Sequence, residues 1–254
     1  MATSNLMLHC GAREVARDEL ATLPCPAPTK TWAPVGHVRV LDTALATLAE
    51  AGYSVVKSRF GLSAGDGRFF GTLDLATPLT PDGSVTLAVG IRNSIDKTFP
   101  MGFCAGSRVF ICDNLAFRSD LMVRRKHSPQ GIANFSNDIA GAVMQLTSFK
   151  EAETVRIAAL ADTTMPDERA DSFILRAAIE RGVIPLRAIP HVVRAWKEPG
   201  HEQFAPRTAW SLFNAFTAAF ASLQGSNPAE LARRTMRLSA MLSPTPERID
   251  VLAG

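Results

Sequence analysis

The fold is decided by residues 68–92, which read RFFGTLDLATPLTPDGSVTLAVGIR. Apolar side chains recur at every second position on both sides of a turn that contains prolines, an aspartate and a glycine. A period of two is the repeat of a β-strand, and these residue types favour turns. The stretch therefore predicts two antiparallel strands, over residues 68–76 and 84–92.

Two more strands are predicted beside this pair. An amphipathic helix over residues 38–51 ends at Gly52, and from Tyr53 the apolar period changes to two. The last strand of the set spans residues 103–112. Because short connections join consecutive strands as antiparallel neighbours, the four strands should form a meander.

The alternation along these strands separates the two faces of the sheet. The side expected to face the core carries mainly aliphatic residues: Phe69, Leu73, Leu75, Val85, Leu87, Val89, Ile91, Ala105, Val109 and Ile111. The opposite side carries arginines and phenylalanines among small residues: Arg68, Phe70, Thr72, Thr86, Ala88, Gly90, Arg92, Arg108 and Phe110. We call this second side the polar face.

Helical patterns make up most of the remaining chain. Residues 132–160 carry apolar positions at helical spacing without a proline, which predicts one long helix that covers the aliphatic face. Four further helices are predicted over residues 167–181, 188–197, 208–223 and 227–242. The expected class is α+β: an antiparallel β-meander covered by a long helix, with an α-helical C-terminal part.

Three parts are expected along the chain. They are a proline-rich N-terminal arm over residues 1–36, an α+β core domain over residues 37–165 and a helical C-terminal region, packed on the core, over residues 166–254. Four prolines between Pro24 and Pro34 exclude both a helix and an inner strand in the arm. The arm is therefore expected to pack across the domain or to reach a neighbouring subunit.

Composition limits the classes of function without selecting one. The chain has 254 residues, 46% of them hydrophobic, which is ample for a sizeable core. Its net charge of +3 is too small by itself to indicate a nucleic-acid partner. No apolar run approaches the roughly 20 residues of a membrane span, no secretory signal is expected, and the four cysteines form no CxxC pair. We therefore expect a cytoplasmic protein with free thiols and no membrane partner.

A local cluster of basic residues is the strongest functional signal. Residues 97–126 contain six lysines or arginines against two acids. With basic residues of the strands they predict a groove for a phosphate backbone, and two phenylalanines could stack on bases. The candidate residues are Lys57, Arg59, Arg68, Arg92, Lys97, Arg108, Arg124, Arg125, Lys126, Phe70 and Phe110. The alternative is a solvated surface loop with ordinary exposed strand charges.

Polar residues are densest after two of the strands: Asn93, Ser94, Asp96, Asp113 and Asn114. Asp96 and Asp113 could together hold Mg²⁺, but two carboxylates without a third ligand make a weak metal signal. Turn formation by Asn, Ser and Asp side chains explains the same residues and is favoured. The five histidines are far apart in sequence, and no phosphate loop, HExxH or GxSxG motif occurs. We therefore predict no catalytic residue, metal or cofactor.

Several of these segments together resemble a known family. GIRNSIDK at residues 90–97, SRVFICDNLAF at 107–117, RKHS at 125–128 and TAW at 208–210 are similar to the phage/plasmid-like family classed as a domain of unknown function. Relatives often carry a histidine where this chain has Ile95. Family members sit beside replication and recombination genes, which implies a role with DNA. The predicted core is also similar to that of single-strand annealing proteins, which form rings that hold single strands in a basic groove.

Three functional hypotheses follow. The first is a protein of a phage or plasmid that binds or anneals single-stranded DNA in recombination or replication, acting as a homo-oligomer. The second is a metal-dependent enzyme that acts on nucleic acid at Asp96 and Asp113. The third is a non-enzymatic assembly or adaptor protein of a mobile element, in which the arm and the C-terminal helices make subunit contacts.

Overall fold

A computed structural model describes residues 12–109, 114–221 and 228–242. Its centre is a six-stranded antiparallel sheet with the strands in chain order. The strands are β1 (Arg13–Glu14), β2 (Val55–Leu62), β3 (Arg68–Pro78), β4 (Val85–Ser94), β5 (Met101–Val109) and β6 (Asn114–Arg125). The predicted α+β class and the antiparallel meander are confirmed.

Eight α-helices surround the sheet in the described part of the chain. They are α1 (Arg17–Thr22), α2 (His37–Glu50), α3 (Pro129–Met144), α4 (Leu146–Asp162), α5 (Asp167–Ile179), α6 (Ile189–Lys197), α7 (Ala209–Ala221) and α8 (Pro228–Met241). The predicted bounds of α2, α5 and α6 agree to within two residues. None of the helices within these ranges is long and apolar enough to cross a bilayer.

The aliphatic face of the sheet forms the main core. All its predicted members from Phe69 to Ala105 are buried, and α2 and α3 cover them. Burial of each large aliphatic side chain contributes about 1.5–3 kcal/mol, so this face holds the sheet to the helices. Ile111 lies outside the described residues. A second core lies among the C-terminal helices, where Phe173, Trp196 and Phe216 are buried.

The sixth strand corrects the sequence prediction, which ended the sheet at residue 112. In β6, Phe117 pairs with Gly106 and Met122 pairs with Cys104, so four residues of β6 bulge opposite one residue of β5. Such an irregularity breaks the alternation of polar and apolar positions. The period of two that marks the other strands is therefore absent from this one.

The predicted long helix is also corrected, because the structure divides it into α3 and α4 at Gln145. The backbone N–H of Gln145 donates to Ala142 O at 3.1 Å, a tighter turn than that of an α-helix. The α3 helix packs on α2 and β6, whereas α4 packs on α7, β5 and β6. No proline or glycine stands at the break, so the sequence pattern continues through it.

The polar face is less open than its sequence predicts. Thr72, Asp74, Thr86 and Ala88 in its middle are all buried. The α8 helix packs against β6. Half-buried or exposed arginine and phenylalanine side chains remain at the end of this face where β4 ends and β5 begins, and Arg59 of β2 is also half-buried.

The N-terminal arm lies across the same end of the sheet. Its strand β1 pairs with Gly61 and Leu62, and further along the backbone N–H of Ala33 donates to His127 O at 3.0 Å. The indole ring of Trp32 lies 4.7 Å from the ammonium group of Lys97. The described part of the arm thus packs on its own domain.

Candidate nucleic-acid interface

One cross-strand row gathers several of the predicted residues on the polar face. The strand register aligns Phe70 of β3 with Arg92 of β4, then with Gly102 of β5 and Arg124 of β6. Residues directly opposite each other in neighbouring strands share a face. We call Phe70, Arg92, Gly102 and Arg124 the arginine row.

Packing positions Arg92 within this row. A Cβ atom added to Gly102 would lie 2.9 Å from Arg92 Nε, so the arginine side chain extends closely over the glycine. The Arg92 guanidinium is 5.2 Å from the ring centroid of Phe99, and the rings of Phe99 and Phe70 are 5.3 Å apart. Cation–π contacts of this kind contribute about 0.5–1 kcal/mol and favour this position of the guanidinium.

Phe99 was not predicted as a site residue. It lies in the connection between β4 and β5, where no alternation assigns a side chain to either face. The bond of Ser94 Oγ to Phe99 O at 2.7 Å closes this connection and brings the ring beneath Arg92. No pattern in the sequence contains that information.

The arginine row is electrostatically unbalanced. Burial lowers the pKa of Arg92 from its ordinary value, and the positive charges of Arg124 and Arg233 lower it further. Neither Arg92 nor Arg124 forms an ion pair within the described ranges, although Arg124 Nε donates to Met122 Sδ at 2.9 Å. Burial raises the pKa of the Cys104 thiol to about 12, so this neighbour stays neutral and supplies no counter-charge. Two positive charges are therefore uncompensated.

Three other predicted residues lie at this end of the sheet with different surroundings. Arg68 pairs with Asp96, with 3.5 Å between Nε and Oδ2, so its charge is balanced. Lys97 is held against the ring of Trp32. Lys126 is exposed directly after β6.

Arg125 does not belong to the predicted groove, which corrects the sequence interpretation of the site. It lies opposite Met101, a fully buried residue of the aliphatic face. Its guanidinium forms a bidentate pair with Asp138 of α3, in which Nη2 is 2.8 Å from Oδ1. This carboxylate neutralises Arg125 on the side of the sheet that the helices cover.

The remaining predicted residues are more distant from the row. Arg59 lies opposite Thr72, and Lys57 lies opposite the buried Asp74. The backbone of Arg108 pairs with that of Thr86, at the other end of the sheet. Phe110 lies outside the described residues. A single groove that contains all the predicted cations is therefore not formed.

For the alternative metal site, the described residues place Asn114 far from Asp96. Asn114 is aligned with Val109, and Val109 with Val85 at the start of β4, whereas Asp96 follows the end of β4. Ten residues of strand separate the two positions, about 30 Å at about 3.3 Å per residue. Successive turns of a meander lie at opposite ends of the sheet, which the sequence interpretation overlooked. Asp113 lies outside the described residues.

The motif residues Asn93, Ser94 and Asp96 bind parts of the fold. Asn93 Nδ2 donates to Val35 O at 2.8 Å and to His37 Nδ1 at 2.9 Å. Asp96 Oδ1 accepts from the backbone N–H of Thr98 at 3.0 Å. These bonds hold the arm and the β4–β5 connection in place.

A buried histidine pair was missed by the sequence interpretation. His37 of α2 and His127, which follows β6, are both buried and close enough for His37 to lower the pKa of His127. Burial is the main cause of the lowered pKa of both rings. His37 Nε2 donates to Asp66 O at 3.0 Å, which fits a neutral ring. Ninety residues separate the pair in the chain, so no spacing could reveal it.

Known proteins give no further guide to this site. The chain matches no protein-family model, no curated protein and no solved structure. The resemblance to the phage/plasmid-like family therefore stays a hypothesis that rests on its motifs. The described residues also contain no group of three or more His, Cys, Asp or Glu side chains able to hold a metal ion.

Proposed function

We propose that this chain binds single-stranded DNA at the arginine row. The observation that carries the proposal is the pair of uncompensated guanidinium groups on Arg92 and Arg124, at the end of the polar face where β4 ends and β5 begins. Phosphate oxygens are the anions that arginine binds best, because its planar fork donates two parallel hydrogen bonds. A nucleic-acid backbone supplies such oxygens.

The neighbouring aromatic rings favour a single strand over a duplex. Phe70 and Phe99 are half-buried beside Arg92, whose guanidinium already lies on a ring. Unpaired bases stack on aromatic rings and on guanidinium planes, whereas the bases of a duplex are stacked on each other. A duplex is held mainly by a long basic surface, and the arginine row is short.

The biological setting is a proposal with separate support. The family resemblance supports a role in recombination or replication of a phage or plasmid. The analogy with annealing proteins supports strand annealing and a homo-oligomeric state. A cytoplasmic location rests on composition. The enzyme hypothesis has no observation in its favour among the described residues, and the adaptor hypothesis stays a prediction to be tested by oligomeric state.

Binding of a fluorescent single strand tests the proposal. With two phosphates neutralised, log K falls with log salt at a slope of about −1.4, so affinity should fall about sevenfold between about 50 and 200 mM salt. Arg92→Gln and Arg124→Gln should each weaken binding and reduce that slope by about 0.7. A duplex of equal length should bind more weakly.

Arg169→Gln is the matched control, because Arg169 is exposed on α5 and makes no ion pair within the described ranges. It removes the same charge far from the arginine row and should leave binding unchanged. If all three variants lost the same affinity for the single strand, the arginine row would contribute no more than any other surface charge. Absence of binding at low salt would refute the proposal.

A further inference from the structure

The positive charge of the arginine row indicates which kind of phosphate group it binds. Arg92 and Arg124 together carry +2, and Arg233 on α8 shares Glu230 with Arg234, at 2.8 and 3.3 Å, so this neighbouring cluster is also not negative. An internal phosphodiester carries one negative charge, whereas a phosphate monoester carries about −1.5 to −2 at pH 7. The monoester matches the row more closely.

The geometry brings the two charges to one place. Gly102 stands between Arg92 and Arg124 in the register and has no side chain to separate them. Two strand spacings place the flanking Cα atoms about 10 Å apart, within joint reach of two arginine side chains. Arg92 lies over the glycine, and Arg124 lowers the pKa of Arg92, which agrees with guanidinium groups that face a common volume.

The row is closed on the side of β6 and along β4 and β5, and it is open towards β2, where Arg59 is half-buried. Along the strands, the polar face leads to buried residues such as Thr72, Thr86 and Ala88. Beyond β6, α8 packs against that strand and places Arg233 near Arg92. A through-running backbone needs an exit on both sides, whereas a strand terminus needs only one.

We propose that Arg92 and Arg124 together bind the terminal phosphate monoester of a single strand in preference to an internal phosphodiester. This inference rests on the proposed function and assigns the ligand of the same site. Both guanidinium groups donate to the non-bridging oxygens of one phosphate, while Phe70 and Phe99 lie beside the terminal nucleotide.

The test compares one oligonucleotide in three forms: with a 5′-phosphate, with a 3′-phosphate and with hydroxyl groups at both ends. One phosphorylated form should bind about tenfold more tightly than the unphosphorylated strand, because charge-assisted bidentate bonds are gained at its end. The phosphorylated form that gains affinity identifies which end of the strand binds at the arginine row. Equal affinity of all three forms would overturn the inference and leave the proposed function standing, whereas absence of all binding would remove both.

Gly102→Ala separates geometry from total charge. The new Cβ would lie 2.9 Å from Arg92 Nε and displace the arginine without removing it. We expect the preference for the phosphorylated end to fall severalfold, although both positive charges remain in the protein. Retention of the full preference in this variant, with the protein folded, would contradict a shared site.

Acidification gives an independent readout. The second ionisation of a phosphate monoester has a pKa of about 6, so the preference should shrink between about pH 7.5 and pH 5.5. The unphosphorylated strand corrects for any effect of acid on the protein itself. A preference that does not change with pH would count against recognition of the dianion.

Discussion

The buried ion pair between Glu153 and Arg156 should be critical for stability. Both side chains are at most 4% exposed in α4, and Arg156 Nη2 is 2.6 Å from Glu153 Oε1. Glu153 also accepts from Ser107 of β5 at 3.2 Å, and Arg156 lies 5.4 Å from the ring of Phe213 in α7. The pair therefore connects the sheet to the C-terminal helices.

Glu153→Gln removes the counter-charge and leaves the buried guanidinium unpaired. Breaking a buried pair from one side costs about 3–5 kcal/mol of the free energy of unfolding. For a chain of this size each kcal/mol lowers the melting temperature by about 2–4 °C, so Tm should fall by roughly 6–20 °C. Thermal unfolding followed by circular dichroism measures the shift.

A surface pair on a neighbouring helix supplies the control. Arg176 of α5 and Glu180, directly after it, are 3.6 Å apart, and their side chains are 36% and 55% exposed. Glu180→Gln should cost less than about 1 kcal/mol, because solvent screens such pairs. The double variant Glu153→Met with Arg156→Met should recover much of the loss, since apolar residues can replace a buried pair. Equal small shifts for Glu153→Gln and Glu180→Gln would refute the reasoning.

Two further predictions concern the histidine pair and α3. Burial lowers the pKa of His37 and His127 in the folded state, so stability is complete above the unfolded pKa of about 6.5 and falls as the pH drops below it. The urea concentration at the midpoint of unfolding should therefore decrease when the pH is lowered from 7.5 to about 5.5. The decrease should be smaller in His127→Gln. Gly131→Ala should cost about 1–3 kcal/mol, because its Cβ would lie 2.1 Å from a backbone oxygen, whereas Gly141→Ala on the same helix meets nothing within 4 Å and should gain about 0.5–1 kcal/mol.

Each of these predictions has its own control. His191 is exposed on α6, so His191→Gln should leave the dependence of the urea midpoint on pH unchanged. A His127→Gln protein with the full acid sensitivity of the parent would contradict the assignment. For the glycines, a Gly131→Ala protein as stable as Gly141→Ala would show that the β6–α3 connection can relax.

The candidate site was only partly predictable from the sequence. Alternation assigned Phe70 and Arg92 correctly to one face, because each residue of a strand fixes the side of the next. It could not assign Phe99, which lies in an irregular connection, or the face of Arg125, which lies in a strand with a bulge. Charge alone could not separate Arg124, which has no ion pair in the described ranges, from Arg125, which Asp138 neutralises.

The sequence by itself determined the α+β class, the meander from β2 to β5 and the aliphatic face that α2 and α3 cover. These features depend on local periodicity, which is written in neighbouring residues. Only the tertiary structure decided that Arg92 and Arg124 flank Gly102, that Asp96 lies far from Asn114 and that His37 lies close enough to His127 to lower its pKa. Such meetings depend on strand register and on the direction of each connection, and residues distant in the chain carry no local pattern that records them.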